Sequence, residues 1–172
     1  MLLNMLSCSV LRESAESPAL HDLGPLPVAT EQYPWAEIDV VAPDWLRDHF
    51  VHYRLLYSGS TEVRSYSTHQ WIESPSVLIA QRLKAGRRVG PYHLLIELLD
   101  FEQIFDQPAH SHVVLEFRAT ASQGPLKEPI DKTFRFVLYT STPDALGGLE
   151  AYPRLVTQGE DGLLAWLSSL KP

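Results

Sequence analysis

The chain has 172 residues, 45% of them hydrophobic and 20% charged, with a formal net charge of -7 and a single cysteine. That length can bury roughly 70% of the surface an unfolded chain exposes, so one domain with a substantial core is expected. The acidic balance argues against a nucleic-acid partner, the lone Cys8 excludes an internal disulfide or a cysteine-rich metal site, and no apolar run is long enough to span a bilayer as a helix.

Residues 1–8 read Met-Leu-Leu-Asn-Met-Leu-Ser-Cys. Apolar residues and then a small residue before a cysteine are similar to the end of a bacterial lipoprotein signal. The segment lacks a basic start and a full apolar stretch, and a translation start upstream of Met1 would supply both. Cys8 is therefore either a lipid-attachment site or a plain terminal cysteine. Residues 9–34 hold Pro18, Pro25, Pro27 and Pro34 among scattered polar residues, which suits a tether or an extended edge segment. His21-Asp22-Leu23 is a candidate short edge strand within it.

Trp35 to Val41 alternates, with Ala36, Ile38 and Val40 on one face. Pro43-Asp44-Trp45-Leu46 predicts a short helical turn with proline at its first position. Val51 to Tyr57 and Glu62 to Ser67 flank Ser58-Gly59-Ser60 and predict a hairpin. Ser74-Pro75 then starts a helix bearing Val77, Leu78, Ala80 and Leu83, which Gly86 ends. Lys84, Arg87 and Arg88 form the only basic cluster, and they fit the negative end of that helix better than a ligand patch.

The most informative stretch runs from Tyr92 to Tyr139. Tyr92 to Asp106 follows a period of two, with Leu95, Leu99, Phe101 and Phe105 on one face and Leu94, Ile96, Leu98 and Ile104 on the other. Apolar residues on both faces predict a strand covered on both sides near its start, turning polar towards Gln107-Pro108. Ser111 to Ala121 alternates cleanly, with Val113, Leu115, Phe117, Ala119 and Ala121 against Val114, Glu116, Arg118 and Thr120. Thr133 to Tyr139 puts Phe134, Phe136 and Leu138 together. Three such runs with turn residues between them predict an antiparallel meander at the sheet centre.

Thr142-Pro143-Asp144 is a second helix start, followed by a stripe of Leu149, Tyr152, Val156, Leu163, Trp166, Leu167 and Leu170. Pro153 should kink or split that helix, and Gly159 to Gly162 should break it again. The expected fold is α+β: a mainly antiparallel sheet with a middle helix and a C-terminal helical segment packed on it. Residues 35–172 are expected to form the single domain, preceded by the signal remnant and the 9–34 tether.

No nucleophile is paired with a base, and no phosphate-binding glycine motif appears. His110 and His112 are two apart on one strand and share a face, so both imidazoles can meet one ion, but the spacing supplies no third ligand. The alternative is two solvated histidines. Asp100, Glu102 and Asp106 also share a strand face, as an acid–base group or as a solvated rim. Trp71, just before the Ser74-Pro75 start, sits either in the core or on a partner surface.

The segments Cys8-Ser9-Val10-Leu11, Asp22-Leu23-Gly24-Pro25, Ala42-Pro43-Asp44-Trp45-Leu46 and Tyr53-Arg54 follow one another in a familiar order. Tyr66 and Trp71-Ile72-Glu73-Ser74-Pro75 come next, then Leu98-Leu99-Asp100-Phe101-Glu102-Gln103-Ile104-Phe105. Phe134, Phe136, Asp144-Ala145-Leu146-Gly147-Gly148 and Trp166-Leu167 complete the series. With these pieces the chain resembles the auxiliary lipoprotein component of ABC-type transport systems in Gram-negative bacteria, which accompanies transporters of the mammalian-cell-entry (MCE) type and the paraquat-inducible system. His21, where an aromatic is usual, and Pro153 depart from the pattern.

The resemblance implies a non-enzymatic periplasmic component, lipid-tethered through Cys8, that helps move lipids or other hydrophobic molecules across the envelope. Ser9 after the cysteine implies the inner leaflet of the outer membrane. The implied partners are an MCE-type substrate-binding subunit or permease, with a lipid ligand and self-association both open and no cofactor. Trp71, Asp100, Glu102 and Gln103 are the expected partner contacts. The competing expectations are a small metal-dependent hydrolase built on His110 and His112 and a purely structural envelope lipoprotein.

Overall fold

A computed structural model describes residues 17–28, 32–124 and 127–170. Seven strands and two helices follow in the order β1 (Ala19–His21), β2 (Gln32–Val41), β3 (Phe50–Leu55), β4 (Val63–Trp71), α1 (Pro75–Ala85), β5 (Arg87–Gln107), β6 (His110–Ser122), β7 (Ile130–Tyr139) and α2 (Ala145–Ser169). A single 3-10 turn, Asp44–Leu46, lies between β2 and β3, with Pro43 capping it from outside. Cys8 lies outside the described residues. No described helix is long and apolar enough to cross a membrane.

All seven strands belong to one sheet, ordered β1-β4-β3-β5-β6-β7, with β2 paired to β5 as well. The 21-residue β5 is the spine. β6 runs antiparallel along one edge of it, and β7 continues antiparallel to β6, as the meander pattern predicts. Along the other edge β2 pairs with the first half of β5 and β3 with Gln103 to Phe105, both parallel. β1 joins β4 in parallel as well. The fold is thus the expected α+β sheet with long antiparallel ladders, extended by parallel strands at its N-terminal side. Those parallel joins need long crossovers that local periodicity does not report.

β5 departs from the expected strand in one physical respect. Leu98 stands opposite Phe117 and Asp100 opposite Glu116, so Leu99 is an extra residue, a β-bulge. Before the bulge the even-numbered Leu94, Ile96 and Leu98 face the core; after it the odd-numbered Phe101, Gln103 and Phe105 do. Leu95 and Leu99 are left 39% and 40% exposed. Near its start the strand is thus covered on one side only, whereas beyond the bulge Glu102 and Ile104 are buried on the other face as well. β2 repeats the device: irregularities on either side of Trp35 bury Tyr33, Trp35 and Ile38, while Ala36 is exposed.

Both helices pack on one face of the sheet. Ile79 and Leu83 of α1, Ile96 and Leu98 of β5, Leu115 and Phe117 of β6 and Val156 and Leu163 of α2 surround one small apolar cavity of about 20 Å³. α2 runs unbroken for 25 residues through Pro153, Gly159 and Gly162, contrary to the expected break. Tyr152, Leu155 and Val156 are buried around the proline, so tertiary packing outweighs the missing amide. The glycines let the helix approach the sheet. A Cβ at Gly159 would lie 2.8 Å from Leu115 Cδ2, and one at Gly162 would lie 2.6 Å from Phe136 Cζ. Gly86 likewise ends α1 with φ of -81° and is small because the Tyr33 ring lies against it.

The described part of the expected tether is part of the domain. Leu23 is buried, and Arg82 donates from Nη1 to the carbonyls of Leu23 and Pro25 at 3.1 and 3.0 Å. Its Nε and Nη2 donate to the two carboxylate oxygens of Glu160, each at 3.1 Å. A buried guanidinium with every branch engaged satisfies its own charge and holds the chain before β2 against both helices.

Candidate functional site

Among the described residues, the sheet face opposite α1 and α2 carries no α-helix, and the bulge fills its middle with charge. Asp100 and Glu102 of β5 reach this face because Leu99 shifts the alternation by one. Register places Asp100 opposite Glu116 of β6, and Glu116 opposite Arg135 of β7. Glu102 stands opposite Val114, which stands opposite Val137. From β3, Arg54 donates Nε to Glu102 Oε1 at 2.9 Å. Arg135 Nε pairs with Glu116 Oε2 at 3.1 Å.

Three carboxylates therefore share two guanidiniums, and Asp100 is the one left over. It makes no ion pair among the described residues, and its Oδ1 is buried without a hydrogen bond. Burial, then the neighbouring Glu102 and Glu116, push the Asp100 carboxyl up to about 7, against the weaker pull of Arg135 and Arg54. Glu102 is only 2% exposed, and its Oε2 is buried without a hydrogen bond. A desolvated carboxylate in a cluster short of positive charge is suited to accept a cationic group.

Apolar side chains border the cluster. Leu95, Leu99, Val137 and Tyr139 are exposed on the strands. Beside the bulge an open hollow of about 500 Å³ is lined by Val41, Pro43, Trp45, Arg47, Glu97 and Leu99. A charged centre inside an apolar border reverses the usual interface pattern of an apolar centre and a polar rim.

The sequence-predicted residues fall into three groups. Asp100 and Glu102 meet on the bare face, joined by Arg54, Glu116 and Arg135. Trp71 and Gln103 are 1% and 0% exposed, and both have core roles in place of the expected surface contacts. The Trp71 ring packs edge-on to Tyr152 and tilted against Phe101. Gln103 faces α2. It accepts from Tyr66 Oη at 2.9 Å and donates Nε2 to Ser111 Oγ and the Asp144 carbonyl at 2.9 and 3.0 Å. The Asp144 side chain in turn caps α2 at the Gly147 amide, and that bond, with the Thr142 hydroxyl, holds its carboxyl below the usual range. Gly148 is small because a Cβ there would lie 2.3 Å from Gln103 Oε1.

His112 pairs through Nδ1 with Asp106 at 3.0 Å and meets Tyr139 edge-on. His110 is exposed. No three His, Cys, Asp or Glu side chains among the described residues are placed to hold a metal ion. Sequence reading missed Arg54, Glu116 and Arg135 as a group. The alternation of 111–121 did place Glu116 on the polar face, but the cross-strand register that assembles the cluster has no local signature.

No family model matches the chain, and no curated protein is significantly similar to it in sequence. The fold itself has solved counterparts. Protein XCC0632 from Xanthomonas campestris, described as DUF330, superimposes with a TM-score of 0.67 at 15% identity, over 88% of this chain and 92% of that one. A second structure, titled an uncharacterized protein, superimposes with a TM-score of 0.68 at 13% identity, over 88% of this chain and 99% of that one. Both share the architecture across nearly the whole described chain.

Proposed function

We propose that this chain is a non-enzymatic periplasmic lipoprotein component of an ABC-type, MCE-like transport system that moves lipids or other hydrophobic molecules across the envelope. Cys8 carries the lipid, at the inner leaflet of the outer membrane, and the bare sheet face docks a substrate-binding or permease subunit. The observation that carries the reading is the uncompensated Asp100 carboxyl on that face, bordered by exposed apolar side chains. Closing such a face against a partner bearing Arg or Lys pairs the leftover carboxylate and covers Leu95, Leu99 and Val137 together. The resemblance noted above supplies the identity of the partner, and one of its two most specific pieces, Asp100 to Phe105, begins directly after the bulge that builds the site.

The test is a pulldown from membranes with a lipoprotein signal placed ahead of an intact Cys8. Wild-type protein recovers a substrate-binding or permease subunit, and Asp100→Arg recovers it at least tenfold less while folding normally. Recovery of the lipoprotein alone, under conditions that preserve other envelope complexes, overturns the transport reading. Equal recovery by Asp100→Arg overturns the site but not the function.

A further inference from the structure

β1 is three residues long and ends the sheet on its side. Its main chain is held by the pairing with β4 and by the Ile72 amide, which donates to the His21 carbonyl at 2.8 Å. A side-chain contact adds to this. His21 Nε2 and His69 Nδ1 lie 3.0 Å apart, with the two rings tilted by 46°. Ala19 stands opposite His69 and His21 opposite Trp71, so the two imidazoles are diagonal neighbours on one face of the ladder. Both are only half-buried, within reach of solvent.

Two imidazole nitrogens on one metal, at bond lengths of about 2.0–2.1 Å, are about 2.9 Å apart in adjacent square-planar positions and about 3.3 Å apart in a tetrahedral site. The spacing here lies in that span, closest to the square-planar value. Turning each ring so that its lone pair leaves the N···N line by about 45°, with loss of the shared proton, converts the hydrogen bond into two lone pairs converging on one ion. We propose that His21 and His69 form a cross-strand chelate for a late first-row divalent metal, Cu²⁺ foremost and Ni²⁺ and Zn²⁺ more weakly, that staples β1 to β4.

Water completes the coordination. Asp22 lies next to His21 in the chain, but its Oδ1 accepts the Gly24 amide at 2.8 Å. The staple joins residues 48 positions apart in sequence and fixes the strand through which the N-terminal segment enters the sheet. It is independent of the bare face and of the transport reading.

Metal-stripped full-length protein carrying Cys8→Ser, so that the thiol does not compete, is titrated with Cu²⁺ and Ni²⁺ by calorimetry. Cu²⁺ spectra by electron paramagnetic resonance and amide exchange at residues 19–21 are recorded alongside. One Cu²⁺ binds per chain with a two-nitrogen signature, Ni²⁺ binds more weakly, and exchange at 19–21 slows at least tenfold. His21→Gln and His69→Gln each weaken binding at least tenfold, while a His110→Gln/His112→Gln double variant binds as wild type. Binding that survives either single substitution, or Cu²⁺ binding that leaves exchange at 19–21 unchanged, overturns the proposal. So does binding no tighter than that of the His21→Gln/His69→Gln double variant.

Discussion

The two faces of β5 treat the strand's own buried polar side chains in opposite ways, although Tyr152 Oη, whose ring packs on Phe101 on the helix face, also lacks a hydrogen-bond partner among the described residues. On the helix face Gln103 is fully buried, and both ends of its amide are bonded, tying β4, β6 and the start of α2 to the spine. On the bare face the adjacent residue, Glu102, is nearly as buried, yet one of its oxygens and Asp100 Oδ1 have no hydrogen-bond partner among the described residues. Satisfied burial specifies a structure; unsatisfied burial costs stability and is retained where something else uses it. One extra residue, Leu99, separates the two, because it alone brings Asp100 and Glu102 to the bare face and turns Gln103 inward.

The contrast predicts effects of graded size. Trp71→Ala removes the ring between Phe101 and Tyr152 and should cost about 3–5 kcal/mol in urea unfolding, enough to threaten the fold. Gln103→Ala leaves the Tyr66 and Ser111 hydroxyls and the Asp144 carbonyl without their shared partner and should cost about 2–4 kcal/mol. Gly162→Ala forces α2 away from Phe136 and should cost about 1–3 kcal/mol by the same measurement.

Asp100→Asn should go the other way. The folded-state pKa of about 7 lies above the ordinary 3.8, so the native protein holds a proton that the unfolded chain has lost between those values. Stability contributed by this group is present below about pH 4 and lost as pH rises towards about 7. Asp100→Asn should therefore stabilise the protein by about 1–2 kcal/mol at pH 8 and hardly at all at pH 4. Thermal unfolding across that window checks it, and a flat difference would remove Asp100 from the account. The smallest effect is expected at the exposed Arg118–Glu97 pair, where Arg118→Ala should leave the urea unfolding midpoint essentially unchanged.

Much of this was legible from local pattern. The clean alternation of 111–121, the proline-marked start at Ser74, and Asp144 before Ala145 each correspond to a strand or cap found in the structure. The misreadings share a cause: tertiary contact. Gly159, Gly162 and Pro153 read as helix breakers because only the sheet beneath α2 shows that they are where it packs. Leu95 and Leu99 read as core because a bulge is invisible to a period-two count. Residues 9–34 read as a tether or an extended edge segment, and the edge reading matches β1 at Ala19–His21, but the Arg82 clamp that docks Leu23 and Pro25 comes from almost 60 residues away and has no local signal. The candidate site was half legible: Asp100 and Glu102 carried the signal, while Arg54, Glu116 and Arg135 reach them only through register.

The central claim is that the bare face, and not the helical one, meets the transport partner. Photo-crosslinking residues placed singly at Val137, on the bare face, and at Ser168, exposed on α2, test it in cells carrying the lipidated protein. The account predicts a crosslink from Val137 to a substrate-binding or permease subunit that Asp100→Arg abolishes, and none from Ser168. A crosslink to that subunit from Ser168 alone would contradict it.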